Sequence, residues 1–223
     1  MLLVFDFDDT LIKTEEIILD IYRAISPSKI AFDIYRTLDS KLLLTFKNYY
    51  EKIGTFIRLA YEYGYISLRD AIYLEKKLKE VHPIVYPEVL TELAKKYKVA
   101  VCTWGDDLIQ SDKFDRYIST SNTEIKFIVA KNPKHKVTKI VEVVSNLAYP
   151  DEEVYLIGNN LMVDILEPAK LLCDIYKVRG IWVVNSYGTK VELSSVPVKL
   201  VKPYLLNDYL KVLLKGDDIL WEK

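Results

Sequence analysis

Five short apolar runs recur along the chain: LLVFDF (2–7), KVAVCT (98–103), IKFIVA (125–130), EVYLIG (153–158) and GIWVVN (180–185). Each is short and rich in β-branched or aromatic residues, which predicts a strand. Between the later runs lie PEVLTELAKKY (87–97), KVTKIVEVVSNL (136–147) and VDILEPAKLL (163–172), where apolar residues return every three or four positions. That spacing predicts amphipathic helices. Alternating strands and helices imply a parallel sheet covered on both faces, an α/β fold.

The interval between the first two strands breaks this alternation. Ile17, Ile18, Ile21 and Ile25 mark one apolar helical face, and KLLLTFKNYYEKIGTFIRLAYEYG (41–64) reads as a long helix, bent near Gly54 and stopped at Gly64. Ser67 offers an N-cap for a helix over 68–81, with Asp70 at the capping-box position, and Pro83 and Pro87 close the segment. Residues 14–82 are therefore expected to form an all-helical insert, with residues 1–13 and 83–223 forming a discontinuous core. PYLLNDYLKVLLKGDDILWEK (203–223) predicts an amphipathic helix followed by a loose tail.

With 223 residues, half of them hydrophobic, the chain can bury a large core. Its 31 Lys and Arg against 32 Asp and Glu leave a formal net charge of −1, so no overall basic field attracts nucleic acid or an acidic membrane. No apolar run approaches the ~20 residues needed to span a bilayer. The opening apolar stretch ends in acids, unlike a signal or transit peptide, and a cytoplasmic location is expected. Cys102 and Cys173 lie in separate apolar stretches without a CxxC partner, which predicts two buried thiols and no zinc site. The single glutamine, Gln110, beside many Lys, Glu, Ile and Tyr, hints at a thermophilic protein.

Asp6, Asp8 and Asp9 change the picture, because three carboxylates within four positions of an apolar strand repel one another where screening is weak. Positive charge is expected among them. If the backbone stays extended, Asp8 points to the same side as Asp6, at the carboxyl end of a strand where open α/β sheets bind ligands. Paired acids there suit a cation of the Mg²⁺ kind, which takes hard oxygen ligands and accompanies phosphate. The alternative, in which Asp8, Asp9 and Thr10 cap a helix beginning at Leu11, leaves Asp6 unexplained.

These residues resemble the first motif of the haloacid dehalogenase (HAD) superfamily, an apolar strand followed by DxDxT, here Asp6-Phe7-Asp8-Asp9-Thr10. VAVCTWGDD is similar to the second motif, with Thr103 as its hydroxyl, and AKNPKHKVTKI contains a lysine for the third. VYLIGNNLMVD (154–164) is similar to the fourth, with Asp164 as its second acid and Asn159 where the first usually stands. The resemblance implies an HAD-like Rossmannoid parallel sheet flanked by helices, with the helical insert as a cap. It further implies phosphoryl transfer through an aspartyl-phosphate, with Asp6 as nucleophile and Asp8 as acid and then base. The metal, Mg²⁺, would be held by Asp6, the backbone carbonyl of Asp8, and Asp164 with Asn159. Phosphate would be held by Thr103, the adjoining Trp104 and Gly105, and a lysine. Lys136, which opens the apolar-periodic stretch twenty-three residues before Asn159, suits that role better than Lys134, and Lys131 ends the strand run.

The expected activity is therefore Mg²⁺-dependent hydrolysis of small phosphorylated metabolites. Phosphomutase chemistry and a binding role on a catalytically weakened HAD core are the alternatives, the latter because Asn159 supplies no charge to a metal. A haloacid dehalogenase needs no acid at the Asp8 position. Asp106 and Asp107 are expected to cap the next helix, Asn160 to serve a turn, and His82 and His135 to take no catalytic part. The tyrosines of the insert, such as Tyr49, Tyr50, Tyr61, Tyr63 and Tyr65, suit packing and substrate contact equally. The sequence does not indicate an oligomeric state.

Overall fold

The computed structural model describes residues 1–25, 49–118, 125–184 and 196–216. The first part of the helix expected over 41–64 and the tail beyond 216 lie outside the described residues. The chain divides into two compact units, Met1–Ile12 with Pro83–Lys223, and Lys13–His82.

The larger unit is built on six parallel strands: β1 (Leu2–Phe5), β4 (Lys98–Trp104), β5 (Lys126–Ala130), β6 (Glu153–Gly158), β7 (Lys177–Val183) and β8 (Val198–Val201). Their order across the sheet is β5-β4-β1-β6-β7-β8, and every pairing is parallel. The first strand thus lies at the centre, where the order reverses. That reversal opens the crevice at strand carboxyl ends in which such sheets bind ligands. The helices of this unit are α4 (Pro87–Lys96), α5 (Asp107–Tyr117), α6 (Pro133–Leu147), α7 (Glu167–Leu172) and α8 (Pro203–Lys215). A single π-helical turn, Leu161–Leu166, precedes α7. Gly158 and Asp164 belong to β6 and this turn, and wide turns of this kind are often found at functional sites.

Alternation along β1 sends its side chains to opposite faces. Leu2 and Val4 enter a core with Ile140, Val143 and Val144 of α6 and with Leu161, Ile165 and Leu166 of the π turn. Phe7, on the alternate parity, meets Phe114 and Tyr117 of α5 and Phe127 of β5 edge to face, at centroid distances of 5.7, 5.9 and 5.7 Å.

The smaller unit contains α1 (Glu15–Ile25), α2 (Tyr49–Glu62) and α3 (Leu68–Leu78). Ile17, Ile18 and Ile21 of the expected face are buried with Ile53, Ile57, Ala71 and Leu74. Ser67 caps α3 and forms the reciprocal capping box with Asp70. Gly54 lies inside α2, which ends two residues before Gly64. Where the chain passes between units it forms two short strands, β2 (Ile12–Lys13) and β3 (His82–Pro83), that pair with each other. Two residues are too few to show a period-two pattern. Among the described residues, no helix is long and apolar enough to cross a membrane. Cys102 is buried as expected, whereas Cys173 is exposed at the end of α7, on the helix's solvent side.

At the opposite end of the sheet from the strand carboxyl termini, Glu152 accepts from the Met1 ammonium (2.6 Å), from Lys98 Nζ (3.1 Å) and from the Tyr149 amide (2.8 Å). Partial burial opposes its charge, but these donors outweigh burial and bring its carboxyl down to about 2 from the usual 4.5. A folded-state pKa below the unfolded one gives stability that is present above about 4.5 and is lost as pH falls through about 2. Glu152→Gln is therefore expected to lower stability by ~2 kcal/mol at neutral pH. The gap to the parent should close between pH 4.5 and 2, which urea denaturation across that range would read.

Candidate active site

Asp6 continues β1 by one residue. Its amide donates to Ile157 O of β6 at 2.7 Å, and it shares the face of Leu2 and Val4, toward α6 and the π turn. Asn132 caps α6 through its side chain, and Pro133 occupies the first helical position. The helix therefore starts three residues earlier than the apolar periodicity suggests, and Lys136 falls in its first turn on the buried face with Val137 and Ile140. Lys136 is 2% exposed, Asp6 6% and Asp164 3%. Lys136 Nζ donates to Asp6 Oδ1 and, at 2.6 Å, to Asp164 Oδ1. The remaining carboxylate oxygens are also engaged: Thr10 Oγ1 donates to Asp6 Oδ2 (3.1 Å), and the Asn160 amide donates to Asp164 Oδ2 (2.9 Å).

Gly158 makes this arrangement possible. A Cβ at that position would lie 2.4 Å from the Asp164 side chain, so only glycine lets the carboxylate sit against β6.

One ammonium serves two buried carboxylates, and the balance is unequal. Burial pushes the Asp6 carboxyl up to about 7 from 3.8; Lys136 opposes the rise, while Asp164 and Asp8 add to it by repulsion. For Lys136 burial works against the charge, but Asp6 and Asp164 outweigh it and raise the pKa. Lys136 is therefore the fixed cation, and the pocket carries excess negative charge.

Asp8 does not share the direction of Asp6. The chain turns after Phe7, whose carbonyl accepts from the amides of Leu11 (2.9 Å) and Ile12 (3.1 Å), while Asp9 takes a positive φ of 56°. Extended geometry is lost there, and Asp8 turns to α5 instead. Lys113 Nζ donates to Asp8 Oδ1, and Gln110 Nε2 donates to Asp8 Oδ2 at 2.8 Å. Leu11 begins no helix, since Ile12 and Lys13 are extended and α1 starts at Glu15.

The second-motif residues line the end of β4. Phe5 is level with Val101 and Ile157, which puts Asp6 level with Cys102 and Gly158, and Thr103 one position beyond. Thr103 is buried and Trp104 half-exposed. Gly105 has a φ of 143°, and its amide donates to Ala130 O at 3.0 Å. Asp106 caps α5 through the Ile109 amide (3.1 Å). Asn160 caps the π turn by accepting from Val163 N (3.2 Å). Lys134 is exposed on the outer side of α6, away from the buried pair, and Lys131 is exposed as well. Asn159 is exposed, and its main-chain carbonyl accepts from Trp182 Nε1 at 3.0 Å.

Sequence reasoning missed Gln110 and Lys113 as members of this cluster. A signal was present: Gln110, Lys113, Phe114 and Tyr117 follow the i, i+3, i+4, i+7 pattern of one helix face, and all four are buried. Two polar residues on a buried face imply polar partners.

Asp6 and Asp164 offer hard carboxylate oxygens that already converge on one cation. With Asp8 they make three carboxylates against the two ammoniums of Lys136 and Lys113. A donor set short of positive charge fits Mg²⁺. Among the described residues no group of three His, Cys, Asp or Glu side chains forms a metal cluster, so main-chain or amide oxygens would have to complete the set.

No family model matches the chain and no curated protein matches it. Solved structures do. A haloacid dehalogenase-like family hydrolase from Xanthomonas campestris is 21% identical over 97% of this chain and 96% of its own, with a TM-score of 0.56. The HAD-hydrolase named YfnB from Bacillus subtilis, in a structure bound to magnesium, is 19% identical over 94% of this chain and 98% of its own, with a TM-score of 0.56. A dehalogenase with an intermediate complex is 15% identical over 99% of this chain and 97% of its own, with a TM-score of 0.59. With its central β1, its order reversal and its cluster at the strand ends, the chain has the fold of the haloacid dehalogenase-like hydrolases.

Proposed function

We propose that the chain is a Mg²⁺-dependent phosphatase acting on small phosphorylated metabolites through an aspartyl-phosphate on Asp6. The observation that carries this reading is the buried Asp6–Lys136–Asp164 cluster at the carboxyl end of the central strand. A carboxylate fixed there can act as a nucleophile, and Lys136 stands beside it to meet the charge of a phosphoryl group.

In the first step an Asp6 carboxylate oxygen attacks phosphorus, the bond to the leaving oxygen breaks, and Asp8 gives that oxygen a proton. In the second, Asp8 takes a proton from water as the water oxygen attacks phosphorus. The bond to Asp6 then breaks, releasing inorganic phosphate and restoring the carboxylate. Lys136 and Thr103 donate to the non-bridging oxygens. Asp6, Asp164, the Asp8 carbonyl and the Asn159 amide oxygen would hold Mg²⁺, which supplies charge neutralisation and Lewis-acid polarisation. With Asp8 protonated for the first step, two carboxylates, two ammoniums and a divalent cation leave two net positive charges to receive a phosphate dianion.

Some structures of this fold are dehalogenases, and one is described as a β-phosphoglucomutase from Thermotoga maritima. An ionisable acid at Asp8 supports phosphoryl chemistry, since ester formation with loss of halide needs no proton donor. The test is turnover of p-nitrophenyl phosphate with Mg²⁺ and with excess chelator, followed by sugar phosphates, nucleotides and phosphoglycolate. Chelator-sensitive phosphate release is expected. Halide release from 2-haloacids without phosphatase activity would overturn the reading, and conversion of a sugar phosphate to its isomer without phosphate release would favour the mutase.

A further inference from the structure

We infer that Lys113 and Gln110 are positioning residues for Asp8, acting on catalysis through that carboxylate. Lys113 is 4% exposed and Gln110 5%, and each donates to a different oxygen of Asp8. Two donors on one helix, one turn apart, fix both the rotation and the depth of the carboxylate, which a single bond cannot do. Lys113 is itself held, with its ammonium 5.3 Å from the centroid of the Phe7 ring. Gln110 is fixed from the other side: its amide also donates to Trp104 O at 3.3 Å, and it packs beneath Gly105, where a Cβ would lie 3.2 Å from Nε2. Among the described residues Gln110 Oε1 is buried without a hydrogen-bond partner. An orphaned acceptor of this kind costs stability, and it is tolerated here while Nε2 holds Asp8 and the Trp104 carbonyl together. Any movement of the β4–α5 turn is therefore passed to the carboxylate that would protonate the leaving group.

The inference rests on the acid–base role proposed for Asp8, so its test separates the two. Phenyl phosphate and p-nitrophenyl phosphate differ in how much they need a proton on the leaving oxygen. Their kcat ratio is measured in the parent, Asp8→Asn, Lys113→Met, Gln110→Leu and the Asp8→Asn/Lys113→Met double variant. Lys113→Met and Gln110→Leu keep side-chain size, and either suffices if the other fails to fold. The expected result is a loss of roughly 10- to 100-fold on phenyl phosphate with a smaller loss on p-nitrophenyl phosphate, a part of the usual general-acid contribution. The double variant should resemble Asp8→Asn, because a residue acting through another adds nothing once that other is gone. Its Tm should exceed that of Asp8→Asn, which leaves the buried Lys113 ammonium without its carboxylate. If Asp8→Asn itself leaves the ratio unchanged, the acid role fails and this inference falls with it. If Asp8→Asn changes the ratio but Lys113→Met and Gln110→Leu lower both substrates equally, and the losses add in the double variant, the role is structural and only this inference is overturned.

Discussion

Asp6→Asn is expected to reduce turnover of p-nitrophenyl phosphate by roughly 10⁴–10⁶-fold, the range for deleting a catalytic nucleophile. The amide cannot form the acyl-phosphate, and it removes one of the two buried carboxylates that converge on Lys136. The fold should survive. Lys136 would then face Asp164 alone, one cation to one anion, and the repulsion between the two carboxylates disappears. A Tm equal to or above that of the parent is expected in metal-free buffer, together with the loss of turnover. A variant that keeps activity would exclude Asp6 as the nucleophile, and one that merely unfolds would fail the electrostatic part of the account.

Lys136→Met should have the opposite effect on stability. It leaves Asp6 and Asp164 buried without their ammonium, and breaking a buried ion pair from one side costs about 3–5 kcal/mol. The loss depends on pH. Without Lys136 the Asp6 carboxyl, already raised by burial, is held further above its unfolded pKa, so the folded form keeps its proton while the unfolded chain releases it. Stability is then retained below the unfolded carboxyl range of about 4 and falls as pH rises toward neutrality. The deficit relative to the parent should therefore be largest at neutral pH and shrink on acidification, as chemical denaturation at several pH values would show. Turnover should fall by on the order of 10²–10³-fold where the variant is folded, the usual loss for one transition-state donor. Lys134→Ala should change neither quantity, since Lys134 is solvated on the far side of the helix.

The contrast between these lysines shows what the sequence could carry. Apolar periodicity placed Lys136 at the helix start. The Asn132-Pro133 pair, a cap followed by a first-turn proline, places the start three residues earlier and puts Lys136 on the inner face. Four strands of the sheet, β1, β4, β5 and β6, were legible because strands covered on both faces read as continuous apolar runs, and part of β7 was legible for the same reason. The edge strand β8, VKLV, was not, because a lysine interrupts a four-residue run. Asp6 and Asp164 were legible through motif spacing. The direction of Asp8 was not, because it depends on the turn after Phe7 and the positive φ of Asp9, which Asp adopts more readily than most residues but which no pattern demands. Gln110 and Lys113 belong to a helix whose polar residues look solvated in sequence; their spacing with Phe114 and Tyr117 is the one signal of a buried side, and packing against Phe7 and β5 shows it.

The central claim is that Asp6 carries the phosphoryl group. Acid quenching of the enzyme during turnover of p-nitrophenyl phosphate with Mg²⁺, followed by peptide mass spectrometry, tests it most directly. The account predicts a phosphoryl group on the peptide containing Asp6, removed by hydroxylamine as an acyl-phosphate is and absent from Asp6→Asn. Full turnover with the label on another residue, or with none on the enzyme in single-turnover samples quenched before product release, would contradict it.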